Sequence, residues 1–276
     1  MQRRMYRCMT MMSIVVAAGL GCRKVLNYPS ALGPRYTGAH TTRPDSTATR
    51  VLRVVTYNVR FGRHIDRAIN VLTTRAPLPG ADIVVLQEMD AEGTQRIAEA
   101  LGMSWVYYPA TVHPKAARHD FGNAVLSRWP IIADEKLMLP HVAGMRSSQR
   151  IATAATILVD TVRVRVYSTH LGTPTEIRPS KRRDQADAIL ANAAGYSLVI
   201  VGGDMNSHGI GKEFVAGGYQ WPTEHNGFTS TFFNWDHIFL KGFRPPPPGG
   251  AKVTGIVRDT LGTSDHDPVW AVARLP

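Results

Sequence analysis

The chain reads as an α/β (α+β) fold in which two β-sheets pack face to face with helices on the outside. Three observations carry that reading. Apolar, β-branched runs recur from residue 51 to the C-terminus, and two of them are joined by a tight turn. Helical periodicity is confined to three stretches set between those runs. Cys8 and Cys22 are the only cysteines and both lie near the N-terminus, so the fold rests on a buried core and not on disulfides. A chain of 276 residues with 44% hydrophobic content has the material for such a core. No second composition block divides it, so one folded domain is expected.

The elements follow in order. Arg3, Arg4 and Arg7 make a positive start, and Met9 to Leu20 is apolar apart from Thr10 and Ser13. This reads as an export signal over residues 1–22, too short to span a bilayer as a mature helix. Gly19-Leu20-Gly21-Cys22 resembles a bacterial lipoprotein cleavage box with Cys22 as the lipidated residue; an ordinary secretory signal or a short uncleaved anchor is the alternative. The protein is therefore expected to be exported, as a membrane-anchored lipoprotein or a periplasmic or secreted protein. Residues 23–49, rich in Pro, Thr, Ser, Arg and Gly, read as a flexible linker. The folded domain is placed at 50–276.

Val51 to Tyr57 is a β-branched strand that ends at Asn58. Ile65, Ile69 and Leu72 recur at helical spacing until Pro77 and Pro79. Ile83 to Leu86 is a second apolar strand, delivering Glu88, and Ala91 to Leu101 is a helix stopped by Gly102. Trp105 to Tyr108, Ala124 to Leu126, Ile151 to Val159 and Val162 to Tyr167 are β-like, and Asp160-Thr161 predicts an antiparallel hairpin between the last two. Pro179 to Ala194 is a helix with Ile189 and Leu190 on its apolar side and Arg182, Arg183 and Asp184 on its polar side. Leu198 to Val201, Ile238 to Leu240 and Val269 to Val272 are the remaining strands, with Pro245 to Pro248 in a loop between them.

The net charge of +11 suggests a nucleic-acid binder until it is divided along the chain. Residues 1–50 hold eight Arg/Lys against one acid, and residues 51–276 hold 24 against 20. The excess sits mostly outside the domain, so charge does not identify the substrate.

Five polar motifs carry the chemistry: Tyr57-Asn58-Val59, Leu86-Gln87-Glu88, Gly202-Gly203-Asp204-Met205-Asn206, Trp235-Asp236-His237 and Ser264-Asp265-His266-Asp267-Pro268. Four of them follow or end an apolar run, as residues do when strand ends place them on one rim. Asn, Glu and Asp oxygens gathered there suit a hard divalent cation, with an imidazole beside it, and point to metal-assisted hydrolysis of a phosphoester. Asp204 and Asn206 alternate on an extended segment and face one way; a locally bonded Asp-x-Asn turn is the other reading. Gly202 and Gly203 remove side chains where a substrate would approach the backbone. Asp236 is a candidate to orient His266 and raise its basicity; a surface strand residue is the other reading. Taken singly, Glu88 and Asn58 could equally be solvated strand ends, and His170 a structural histidine. No Gly-x-Ser-x-Gly elbow or His-Glu-x-x-His zinc helix is present.

Those motifs, with Phe121 to Ser127 and Ser168-Thr169-His170-Leu171, resemble the endonuclease/exonuclease/phosphatase superfamily over about four fifths of the chain. The resemblance implies a four-layer α-β-β-α sandwich of two mixed β-sheets. It implies Mg²⁺ or Mn²⁺ held by Asn58 and Glu88 with Asp265 nearby, and an attacking water held by Asp204 and Asn206. It further implies that His266, oriented by Asp236, and His170 touch the scissile phosphate, that Asn123 braces the site, and that Arg150 stands on the phosphate side. A solvent-facing role for Arg150 is nearly as good a fit.

The expected activity is hydrolysis of a phosphodiester or phosphomonoester by in-line attack of an activated water, with Asp204 or His266 as the base. Three substrate classes compete. A small exported phosphodiesterase or phosphatase is favoured, because the domain shows no insert for gripping a duplex. A nuclease would use Arg60, Arg63, Arg67, Arg118 and Arg128 on phosphates and Tyr107, Tyr108 and Trp129 on bases. A phospholipid or sphingomyelin headgroup hydrolase would suit a lipid anchor at the membrane, with Tyr219, Trp221, Phe228, Phe232 and Phe233 as an apolar lip. A non-catalytic binding module is the reading from a different class; every expected catalytic position is filled, which counts against it. A monomer is expected.

Overall fold

The structure, a computed structural model, describes residues 25–39, 50–112, 119–142, 144, 147–246 and 251–276. Its elements are β1 (Tyr36–Gly38), β2 (Val51–Asn58), α1 (Ile65–Thr74), β3 (Ile83–Met89), α2 (Ala91–Leu101), β4 (Ser104–Val112), β5 (Asp120–Ser127), β6 (Ile131–Met138), β7 (Ile151–Val159), β8 (Val162–His170), α3 (Pro179–Asn192), β9 (Val199–Asp204), α4 (Gly211–Ala216), β10 (Asp236–Lys241), β11 (Thr254–Ile256) and β12 (Val269–Arg274). They form a seven-stranded sheet, β1-β4-β5-β3-β2-β12-β11, and a five-stranded sheet, β10-β9-β8-β7-β6. Both are mixed, since β2 and β3 run parallel, as do β8 and β9, while their other neighbours are antiparallel.

The strands are apolar on both faces because both faces are covered. Along β2, Val54 faces the second sheet and packs in the central core with Val85, Val125, Val166 and Ile200. Its neighbour Val55 faces outward and packs with Ala68, Leu72 and Ile97 of α1 and α2. On the far side, Ala186 and Ile189 of α3 and Phe214 of α4 cover Val199, Val201 and Phe239. These three apolar clusters between four layers give the α-β-β-α sandwich. Asp90, one residue beyond β3, caps α2 by accepting from Gly93 N–H at 2.7 Å, and Gly102 at φ +64 ends it. Such a cap is worth about 1 kcal/mol, and it fixes the chain directly after Glu88.

Four expectations need correction. Residues 25–39, read as part of a flexible linker, pack on the domain. Tyr36 to Gly38 form β1 on β4, Arg35 pairs with Asp134 at 2.5 Å, and the buried Lys136 Nζ donates to Tyr28 O at 2.7 Å. The stretch is short of apolar residues because it is held by backbone and ionic bonds. The export signal at 1–22 and the rest of the linker, 23, 24 and 40–49, lie outside the described residues, as do Pro247 and Pro248. β6 was not expected; it is an edge strand whose Asp134, Glu135 and Lys136 mask its period. Arg182 does not face solvent: it is 4% exposed, and its Nε donates to Gly172 O at 2.7 Å. Tyr219 is buried under α4 and forms no lip. Among the described residues no helix is long and apolar enough to cross a membrane.

Candidate active site

Strand ends converge on one rim. β2 ends at Asn58, β8 at His170 and β9 at Asp204, and β3 carries Glu88 one residue before its end. β10 runs antiparallel to β9 and starts with Asp236 opposite Asp204. His266 lies three residues ahead of β12.

The backbone is bent locally to bring these side chains in. β3 shifts register against β5 between Leu86 and Met89, and Glu88 takes φ +58. A bulge of this kind re-aims a side chain, and here the Glu88 carboxylate lines a cavity of about 270 Å³ together with His170, Asp204, Asn206, His266 and Arg150. Gly202 and Gly203 serve packing and not substrate approach. A Cβ on Gly203 would lie 1.9 Å from Thr169 O, and one on Gly202 would lie 2.7 Å from Val85 Cγ2. Buried Gln87 joins the sheets, accepting from Thr56 Oγ1 at 3.2 Å and donating to Ser168 Oγ at 3.1 Å.

Asp204 is the centre of the cluster. Its Oδ1 accepts from Asn206 N–H at 2.8 Å, so the locally bonded turn exists and Asn206, at φ +49, is nevertheless at the cavity. Its Oδ2 accepts from Asn58 Nδ2 at 3.1 Å and lies 3.5 Å from His170 Nε2 and 3.7 Å from His266 Nε2. Burial pushes the Asp204 pKa up to about 7 against the opposing pull of His266. The Asn206 carboxamide donates to Leu171 O at 3.0 Å.

His266 Nδ1 is 2.8 Å from Asp236 Oδ2, the pairing expected from sequence. Burial alone would lower the His266 pKa; the Asp236 and Asp204 carboxylates overcome it and hold it up at about 10. Sequence reasoning missed the residue that anchors this pair. Thr229 Oγ1 donates to the same Asp236 Oδ2 at 2.6 Å and accepts from Trp235 and Asp236 N–H at 3.1 Å each. A lone Thr in a loop carries no signal for that. His170 differs: burial, then Arg150 and His266, push its pKa well below the usual value, and it is neutral. Its Nδ1 has no hydrogen-bond partner among the described residues and lies 3.9 Å from Glu88 Oε1.

Arg150 is 5% exposed, so it is not a solvent-facing arginine. Its Nη2 donates to Glu176 Oε2 at 2.9 Å, while Nε and Nη1 have no partner among the described residues. Asn123 is buried, and its Nδ2 donates to Ile151 O at 2.9 Å, tying β5 to β7 beside Arg150. Asp265 lies at the rim, with its side chain 48% exposed and its Oδ2 3.6 Å from Arg60 Nε, and its charge still acts on Glu88 and His266.

The donor set fits a hard divalent cation. Glu88 is a buried carboxylate whose pKa is raised by desolvation, and its donors are neutral: Asn58 Nδ2 at 3.3 Å and Phe61 N–H at 3.1 Å. A cation beside Glu88 would relieve that cost. Asn58 turns Nδ2 toward Glu88 and Asp204 while its Oδ1 accepts from Arg60 N–H at 3.0 Å, so it would reach the ion through Oδ1 with its amide reversed. Ligand-type atoms of Asp204, Asp236 and His266 also lie within 4.8 Å of one another. The 2.8 Å bond between Asp236 and His266 makes those two an ion pair in place of a ligand set.

The sequence model of the endonuclease/exonuclease/phosphatase family matches residues 55–266, which spans every one of these side chains. The chain belongs to that family. No curated protein matches it at a significant level. Among solved structures it is similar to a functionally unknown conserved protein from Enterococcus faecalis V583, at 17% identity and a TM-score of 0.63, over 81% of this chain and 100% of the other. It is similar to D. rerio TDP2 complexed with single strand DNA product, at 16% identity and a TM-score of 0.60, over 81% and 99%. Sphingomyelinase C from Streptomyces griseocarneus matches at 20% identity and a TM-score of 0.56, over 82% and 99%. At these identities the likeness shows the fold. The family is one of hydrolases that generally use a divalent metal.

Proposed function

We propose that this family member is a divalent-metal-dependent phosphodiesterase. One observation carries the reading: the Asp204 carboxylate lies within 3.7 Å of the Asn58 amide and both imidazoles, in a cavity that the guanidinium of Arg150 also lines. Glu88 and Asn58 are the residues that would hold Mg²⁺ or Mn²⁺. The ion, when bound, neutralises charge on the phosphoester. Asp204 holds a water by Oδ2 and takes its proton, because His266 Nδ1 is committed to Asp236 and its Nε2 carries a proton to donate. His266 Nε2–H and the free Nε–H and Nη1–H of Arg150 stabilise the charge that grows on the phosphate oxygens. Neutral His170 donates or accepts at the same centre. Asp265 at the rim pairs with Arg60 and acts at most through water.

His266→Ala and Asp204→Asn should each lower kcat/KM for bis(p-nitrophenyl) phosphate by about 100-fold or more, with thermal unfolding little changed. Near-wild-type rates from either would overturn the assignment. Parallel assays on p-nitrophenyl phosphate, plasmid DNA and sphingomyelin, with Mg²⁺, Mn²⁺ or chelator, separate the substrate classes.

A lipid-borne phosphoester is the second reading. Phe228, Phe232 and Phe233 are 55%, 73% and 48% exposed and line a groove of about 730 Å³ that shares Asn206 and Trp235 with the catalytic cavity. Turnover of sphingomyelin above the soluble diester would favour it. We likewise propose export, with Cys22 lipidated. Cys22→Ala should then move the protein out of the membrane fraction, and unchanged fractionation would reject the anchor.

A further inference from the structure

The chain ahead of the domain is docked beside the catalytic cavity. Val112 N–H donates to Leu26 O at 2.8 Å, Tyr28 N–H donates to Ala110 O at 2.9 Å, and Asn27 bridges Thr111 between them. Thr111 lines the cavity. From this strip the Asn27 side chain reaches the segment leading into β7. Its Nδ2 donates to Ser147 O at 2.7 Å, and its Oδ1 accepts from Gln149 N–H at 2.9 Å. Ser148, between those two, lines the cavity, and so does Arg150, the next residue after Gln149. One carboxamide thus ties both ends of the short irregular stretch that delivers Arg150. Ser147 holds φ +54, a conformation that a non-glycine residue keeps only when its surroundings impose it.

We infer that Asn27 is a positioning residue, holding residues 147–149 so that the Arg150 guanidinium faces the scissile phosphate. The inference rests on the proposed phosphodiesterase reading, in which the unpartnered Nε and Nη1 of Arg150 grip phosphate. A charged fork of that kind works only in register, and a misplacement of about 1 Å costs on the order of 100-fold in rate. Catalytic competence therefore begins well before Val51. A domain cut at Val51 loses the strip that carries Asn27.

The test is a double-mutant cycle in the full chain with bis(p-nitrophenyl) phosphate as probe. Asn27→Ala should lower kcat/KM about 10-fold or more, and should have less than about a two-fold effect in an Arg150→Ala background. Arg35→Ala loosens the same N-terminal stretch at its far end, at Asp134, and should leave kcat/KM within about two-fold. The Arg150 Nε–H resonance, identified by its loss in Arg150→Ala, should be single and sharp in the wild type and broadened or doubled in Asn27→Ala. If the alanine variant does not unfold cooperatively, Asn27→Asp, which keeps the acceptor for Gln149 N–H, takes its place in the cycle. The inference is overturned by wild-type kinetics in the Asn27 variant, by an equal loss in the Arg150→Ala background, or by an equal loss in Arg35→Ala. A wild type that turns over no phosphodiester removes the proposed function. The Arg150 resonance then still decides this inference, and an unchanged signal in the Asn27 variant rejects it.

Discussion

Lys136 gives a stability prediction with a sign that depends on pH. It sits on β6, is 2% exposed, donates from Nζ to Tyr28 O at 2.7 Å and lies 5.9 Å from the Tyr28 ring. Burial lowers its pKa from 10.5 to about 8, with Asp120 opposing. The unfolded chain therefore binds the proton more tightly than the folded one, and stability rises with pH between those two values. Below pH 8 the protonated lysine costs the folded state about 3 kcal/mol; at pH 10 only about 1 kcal/mol of that remains. Lys136→Met keeps the apolar stem and removes the charge. It also loses the bond to Tyr28 O, worth about 1 kcal/mol, and the weaker ring contact. The variant should be more stable than wild type by about 1–2 kcal/mol at pH 7, and that advantage should vanish by pH 10. Urea unfolding of both proteins at pH 7, 8, 9 and 10 reads the difference, in which the buried tyrosines cancel. A difference that is constant across that range, or a variant less stable at pH 7, would refute the assignment of the cost to a buried charge.

Two further outcomes follow from the site. In Asp236→Asn the His266 imidazole loses the stronger of the two carboxylates that hold its pKa near 10; Asp204 remains, and burial lowers the pKa further against it. NMR titration should find the His266 pKa lowered from its wild-type value, and kcat/KM at pH 8 should fall about 100-fold or more; an unchanged pKa would contradict the pairing. In the wild type the stabilisation lent by this raised histidine is full below pH 6.5 and is lost as the pH climbs toward 10. Gly203→Ala places a methyl 1.9 Å from Thr169 O, so β9 must separate from β8 and carry Asp204 away. It should cost more than about 3 kcal/mol in urea unfolding and abolish turnover, and a variant of wild-type stability would show that the strands can part freely.

The positions of most central strands and the polar motifs that follow them were legible in the sequence. The apolar runs end within three residues of Asn58, Glu88, His170 and Asp204, and each strand carries on through the polar residues to the rim. The order of those runs, with helices between, pointed to two packed sheets, and the four-layer sandwich was implied by the resemblance of the motifs to the family. The antiparallel start of β10 and the approach to β12 were legible as motifs, and Asp236 and His266 do meet. The bonds between segments distant in sequence were set by the packing of the two sheets. Thr229 anchors Asp236, Gln87 joins the two sheets, and Glu176 holds one arm of Arg150 while leaving the other free. Asn123 bonds to Ile151 O, next to Arg150, and Asp265 pairs with Arg60 at the rim. The N-terminal stretch shows the reason most directly. Its polar composition gives no periodicity to read, since backbone edges and single ion pairs hold it to β4 and β6. Hydrophobic pattern records which face of an element is buried. Which lone polar side chain completes a partner far away in the chain is recorded only by the fold.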